Sequence, residues 1–186
     1  LAELPLHPRF AQMLVKAGAN AAPLAALLSD RDILISREAD LTPALQALSN
    51  NGPNRQIRDA EALKRIKMEA NRLVKLTPKN SFLIKHSPAQ CLALAYPERV
   101  AQRRPGIQPH YIMANGKGVV LANDDGLANA PFLVISELGN SNHSSGPDPK
   151  IRRALSISSD EIREIFGSQI KWLETCRWSK RARKVL

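Results

Sequence analysis

The chain has 186 residues, 44% of them hydrophobic, enough to bury one large core or two small ones, and two are expected. With 27 Lys and Arg against 17 Asp and Glu the net charge is +10, which favours a polyanionic partner, either nucleic acid or an anionic membrane surface. The longest apolar runs, near Cys91–Tyr96 and Phe132–Ile135, fall far short of the roughly 18 residues that span a bilayer, no signal-peptide pattern opens the chain, and Cys91 and Cys176 lack a Cys-x-x-Cys spacing, so no membrane partner is expected and two reduced thiols in a cytoplasmic protein are.

Residues 1–104 read as helical. The opening run Leu4-Pro5-Leu6-His7-Pro8-Arg9-Phe10 reads as the interior of a longer protein, and Pro8 suits a first helical position, with Phe10, Met13, Leu14 and Ala17 on one face. Gly18 and Asn20 stop that helix and cap a small-residue helix, Ala21 to Leu28, giving a tight helical hairpin. Thr42 and Pro43 begin a short helix that the Asn50-Asn51-Gly52-Pro53-Asn54 cluster ends. From Ile57 a longer helix carries the apolar stripe Ile57, Ala60, Leu63, Ile66, Ala70 and Leu73, with a basic face opposite. Ser87-Pro88 starts a last helix, which Pro97 closes.

Residues 105–186 read as β-rich. His110–Ala114 and Lys117–Ala122 flank Asn115-Gly116, which predicts a hairpin with a primed two-residue turn. Asp124-Asp125-Gly126 marks a second turn, before a third strand at Phe132–Leu138. Gly139–Pro149 has loop composition, and Ile151–Ile157 alternates as a strand. Ser158 and Glu161 fit a capping box for a short helix from Asp160 to Phe166, ended by Gly167. Alternation of Ile170, Trp172, Glu174 and Cys176 predicts a further strand, and the barrel is expected to be truncated at its C-terminal end. The fold class expected is α+β: an N-terminal helical bundle followed by a small antiparallel barrel-like region of the oligonucleotide-binding (OB-like) kind with one short helix.

Catalytic patterns are missing. A phosphate-cradling loop needs G-x-x-x-x-G-K-[ST], and the Gly116-Lys117 pair sits in a hairpin turn instead. His7, His86, His110 and His143 occupy separate segments without metal-ligand spacing. Serines flank His143, but without a G-x-S-x-G elbow. No catalytic or metal-binding residue is assigned, and no cofactor is expected in this stretch. What remains is basic: Arg103 and Arg104 at the junction, Lys117 in the hairpin, Arg152 and Arg153 on a strand, and Lys180, Arg181, Arg183 and Lys184 in a tail with five cations and no acid from Arg177 onward. Such groups neutralise phosphates without reading sequence, and they are the candidate nucleic-acid contacts. The two Tyr and two Trp give little stacking support.

Taken together, Leu-Pro-Leu-His-Pro-Arg at 4–9, Ala-Leu-Leu-Ser-Asp-Arg-Asp at 26–32, Ala-Tyr-Pro-Glu-Arg-Val-Ala-Gln-Arg-Arg at 95–104 and Tyr-Ile-Met-Ala-Asn-Gly-Lys-Gly at 111–118 resemble the bacterial HrpB family of DEAH-box-like ATP-dependent helicases. The resemblance implies a segment following the two motor domains, namely the helicase-associated helices and the start of the barrel-like region. ATP and Mg, the DEAH box and the arginine finger would then belong to motor domains outside this stretch. It also implies single-stranded nucleic acid as partner, RNA rather than DNA, and packing on the motor domains through exposed Leu1, Leu4 and Leu6. The rival expectation is a protein-docking module whose basic charge is incidental. ATP turnover by the chain alone would exclude both.

Overall fold

Local signals start and stop the helices. The computed structural model describes residues 6–30, 33–50, 57–77, 85–139 and 148–170, together with the backbone of 178–179 and 184–185. Helix α1 (Pro8–Ala17) begins with Pro8, and His7 Nδ1 accepts the Arg9 N–H at 3.3 Å. It buries Phe10, Ala11, Met13, Leu14 and Ala17, and Gly18 ends it at φ 71°, a conformation a side chain disfavours. A 3₁₀ turn (Gly18–Ala21) leads into α2 (Ala22–Ser29), whose N-terminus no side chain caps, so the expected Asn20 cap does not form; α1 packs mainly on the helix at Pro88–Ala95 and α2 on the helix at Ala60–Leu76. Helix α3 spans Thr42–Ser49.

Helix α4 (Ala60–Leu76) starts later than its apolar stripe predicts. Ile57 is instead bridged to Leu34, and the Arg58 N–H donates to Ile33 O at 2.8 Å, so tertiary pairing takes the first residues of the stripe. Asp59 then caps the helix by accepting from the Ala62 N–H at 2.9 Å. Helix α5 (Pro88–Ala95) buries every residue from Ala89 to Ala95 and so runs through the centre of the molecule. Helix α6 (Ser159–Phe166) opens on the predicted box, with both the Ser158 and Glu161 bonds formed.

Strands β1 (Val100–Arg103), β2 (His110–Met113), β3 (Gly118–Val120), β4 (Phe132–Leu138) and β5 (Ile151–Ser156) form one antiparallel sheet in the order β3-β2-β1-β4-β5. The fold is therefore α+β, helices plus a curled half-barrel. Ala101, Tyr111, Met113, Val119, Leu133, Ile135 and Ile151 fill its interior. Across β4 and β5, Val134 and Leu155 face the other way and join the helical core around α5. A parallel bridge from Val120 to Lys150 curls the outer strands toward each other, with the Val120 N–H donating to Pro149 O at 3.1 Å.

Four local expectations need correction. The β2–β3 turn has a three-residue loop rather than a two-residue one. Met113 pairs with Lys117, the Gly116 N–H donates to Met113 O at 2.8 Å, and Gly116 takes φ 82°, the pattern of a tight turn closed by a bulged glycine. Asp125 is a buried clamp, not merely a turn former. Its Oδ2 accepts the Ala39 N–H at 2.7 Å and its Oδ1 the Leu127 N–H at 2.9 Å. Residues 100–103, read within the helical half, form strand β1, and residues 39–41, to which the sequence assigns no element, lie along β5, where the Ala154 N–H donates to Ala39 O at 2.8 Å and Ala154 O accepts from Leu41 at 3.1 Å. After α6 the chain makes a 3₁₀ turn (Gly167–Gln169), and β6 (Trp178–Ser179) pairs with β7 (Lys184–Val185). The expected strand around Trp172, Glu174 and Cys176 lies outside the described residues. Among the described residues no helix is long and apolar enough to cross a membrane.

Candidate nucleic-acid interface

The register of the sheet decides which cations meet. Gln102 pairs with Ile112, and Ile112 with Gly118, so this row lies on the outer face of β1–β3, opposite the interior row of Ala101, Tyr111 and Met113. Gln102 and Ile112 are exposed, and His110 and Val120 are half-buried beside them. Arg104 and Lys117 are exposed at opposite ends of β2, one in the loop before it and the other in the turn after it. The β3–β5 bridge then sets exposed Lys150 beside Val120, with exposed Arg152 two residues further on. Arg37 joins Lys150, Arg152 and Arg153 along a groove of about 620 Å³ that also holds Asp30, Glu38 and Glu137.

Not all the predicted cations are equally available. Arg103 is half-buried, and its Nε–H donates to Ala128 O at 3.0 Å while the guanidinium faces the Tyr111 hydroxyl, so it holds the 127–131 loop to the sheet. Arg153 pairs with Glu137 at 3.0 Å. Lys180, Arg181 and Arg183 lie outside the described residues, and Lys184 is described only as backbone in β7. Lys150 and Arg37 are missing from the sequence-derived set. Lys150 follows directly on a Pro-rich loop, and only closure of the sheet brings it to Val120.

The motif residues converge elsewhere, between helices and sheet. Arg9 pairs with Glu98 at 2.7 Å and donates to Ala95 O at 3.1 Å. The guanidinium groups of Arg9 and Arg99 lie over the Tyr96 ring at 4.9 and 4.7 Å, and Phe10 meets its edge at 6.3 Å. Arg99 also donates to Ser136 O on β4 at 2.7 Å. A crevice of about 170 Å³ beside this joint is lined by Phe10, Leu28, Asp30, Tyr96, Ser136 and Arg153. Arg9, Leu28, Asp30, Tyr96 and Arg99, drawn from three of the motif segments, thus meet at one seam. Leu6 corrects the expectation of an exposed apolar lead-in, because it is half-buried against the chain's own helical core. Leu1 and Leu4 lie outside the described residues.

The chemistry available here is electrostatic. Burial pushes the Cys91 thiol up to about 12, which keeps it protonated and unreactive, and Cys176 lies outside the described residues. Among the described residues no group of three or more His, Cys, Asp or Glu side chains could hold a metal ion.

No protein-family model matches the chain. Among known proteins it is similar to the ATP-dependent RNA helicase HrpB of Escherichia coli strain K12, 31% identical over 183 residues, covering 96% of this chain and 20% of that protein. The crystal structure of the E. coli DExH-box NTPase HrpB superimposes with a TM-score of 0.67 at 26% identity, covering 97% of this chain and 21% of that one. A second crystal structure, of the Escherichia coli DEAH/RHA helicase HrpB, gives a TM-score of 0.61 at 23% identity with the same coverage, and shows the fold alone. The chain spans about one fifth of the length of these relatives. Because sequence and fold both match across nearly the whole chain, it belongs to the HrpB family.

Proposed function

We propose that the chain is an accessory part of an ATP-dependent helicase that binds single-stranded nucleic acid and scaffolds the motor, with no ATPase motifs of its own. The half-barrel supports this reading most. Its strand order β3-β2-β1-β4-β5 and its parallel β3–β5 bridge are compatible with an OB-like barrel, a fold that binds oligonucleotides across strands 2–3 and the loop between strands 1 and 2. Here that outer face carries Arg104, Lys117 and the adjoining Lys150, and among the described residues no helix covers Gln102 or Ile112. RNA is the expected strand, since the E. coli relative is named an RNA helicase, and the whole protein would act in the cytoplasm. ATP and Mg would be held by the motor domains, and the Arg9–Tyr96–Arg99 joint would make helices and half-barrel follow them as one body.

Charge reversal localises the interface. Arg104→Glu with Lys150→Glu is expected to weaken binding of a labelled single strand more than tenfold at low salt, whereas Lys64→Glu with Lys75→Glu on α4 leaves it within about threefold. Equal losses from both pairs would reduce the reading to diffuse attraction by net charge.

Protein docking is the second reading, favoured by one observation. Leu6, His7, Phe10, Ala26, Ile66 and Glu69 line an open groove of about 430 Å³ where the chain enters α1. Stable association of the chain with purified motor domains, without any binding of single strands, would select it.

A further inference from the structure

We infer that the loop joining β1 and β2 sets Ile107 against a nucleobase of a bound single strand, with Arg104 on the neighbouring phosphate; the inference rests on the nucleic-acid reading above. Ile107 is 99% exposed, the most exposed large aliphatic side chain among the described residues. Hydrogen bonds close the base of its loop. The Arg104 N–H donates to His110 O at 2.8 Å, the His110 N–H donates to Gln108 O at 2.8 Å, and Gln108 Oε1 meets His110 Nε2 at 2.8 Å. Pro105 and Pro109 fix two further φ angles, and Gly106 supplies the φ of 141° that turns the tip outward. The ends of the loop are therefore fixed before any ligand arrives, which lowers the cost of ordering the tip on binding.

Charge and composition choose the occupant. The tip and its cation line an open groove of about 670 Å³ with Pro105, Gly106, Gln108 and His110 and with no acidic residue. That pairing fits a base and its phosphate, because apolar side chains pack against base faces whatever the sequence. The tyrosines that would otherwise stack are committed elsewhere. Tyr111 is fully buried in the barrel, and Tyr96 lies under Arg9 and Arg99. Among the described side chains of the half-barrel's outer face Val120 is half-buried, so exposed apolar contact with a base falls to Ile107, assisted by Ile112.

The test titrates the full chain with a fluorescently labelled oligouridine of about twelve nucleotides, within the usual span of such folds, and with an abasic strand of the same length. Ile107→Ser is expected to weaken oligouridine binding about five- to tenfold, to leave the abasic strand unaffected and to keep the salt slope, since no phosphate contact is lost. Ile107→Phe should bind oligouridine at least as tightly as the parent. Arg104→Ala should instead weaken both strands and reduce the slope by about one. Thermal midpoints of the Ile107 variants should match the parent, because the side chain touches nothing in the fold. If Ile107→Ser binds both strands as the parent does, the inference fails while the nucleic-acid reading stands. If the parent binds neither strand at low salt, both fail.

Discussion

Two buried polar side chains carry the 121–131 loop. Asp125 accepts N–H groups from Ala39 and Leu127 at 2.7 and 2.9 Å, and the Tyr111 hydroxyl meets the carbonyls of Leu127 and Ala130 at 3.0 Å each. Removing either leaves backbone groups unsatisfied in the interior. Asp125→Ala is expected to cost about 2 to 3 kcal/mol and Tyr111→Phe about 1 to 2 kcal/mol in chemical unfolding, with Asp125 the larger because its acceptor is charged. Gly118 presents a different constraint. A Cβ there would lie 2.5 Å from Asp148 Oδ2, at the place where β3 approaches β5. Gly118→Ala should destabilise by about 1 kcal/mol, and adding Asp148→Ala should restore most of it by clearing the space. A loss that persists in the double variant would place the constraint in the backbone.

Caps and an aromatic joint hold the elements to one another. Ser87 Oγ donates to Glu161 Oε1, so the capping box of α5 is tied to that of α6, and Gln90 Nε2 reaches Glu164 at 2.7 Å. Burial would raise the Glu161 carboxyl, but hydrogen bonds from Ser87 and Ser158 outweigh it and hold the acid below its ordinary 4.5. An acid held low in the folded state adds stability above its unfolded value, and that contribution disappears as pH falls from 4.5 through the lower folded value. The gap in melting temperature between the parent and Glu161→Gln should therefore narrow on acidification through that window, and a constant gap would contradict the cap. At the seam, Tyr96→Ala should cost about 2 kcal/mol while Tyr96→Phe keeps both guanidinium contacts and stays near the parent.

These elements also show what a sequence discloses. The Ser158–Glu161 box and the Pro8 helix start are legible because partners three residues apart interact within one turn. Asp125 is not, because its Ala39 partner stands 86 positions away. The late start of α4 and the strand-like course of residues 39–41 escape for the same reason, since tertiary pairing overrides a correct local pattern. Among the candidate contacts, Arg104, Lys117 and Arg152 are legible as exposed cations. The burial of Arg103 and the placement of Lys150 depend on the curl of the sheet.

At the scale of the whole molecule, one hydrophobic cluster crosses the change in sequence character near residue 104. It runs from Phe10, Leu14 and Leu24 through α5 to Val134, Leu155 and Ile157, and α6 packs on it. Helices and half-barrel are therefore expected to unfold together, with near- and far-ultraviolet circular dichroism melting in a single shared transition. Two separated transitions would mean that the Arg9–Tyr96–Arg99 seam does not couple them. Under the proposed function, such a single body with cations around one outer face would form one wall of a strand-binding channel.

The most direct measurement is the salt dependence of binding between this chain and a labelled single-stranded RNA. Contacts from Arg104, Lys117, Lys150 and Arg152 predict a log–log slope near −3, at about 0.7 per phosphate. Undetectable binding at low salt, or binding with no dependence on salt, would contradict the account.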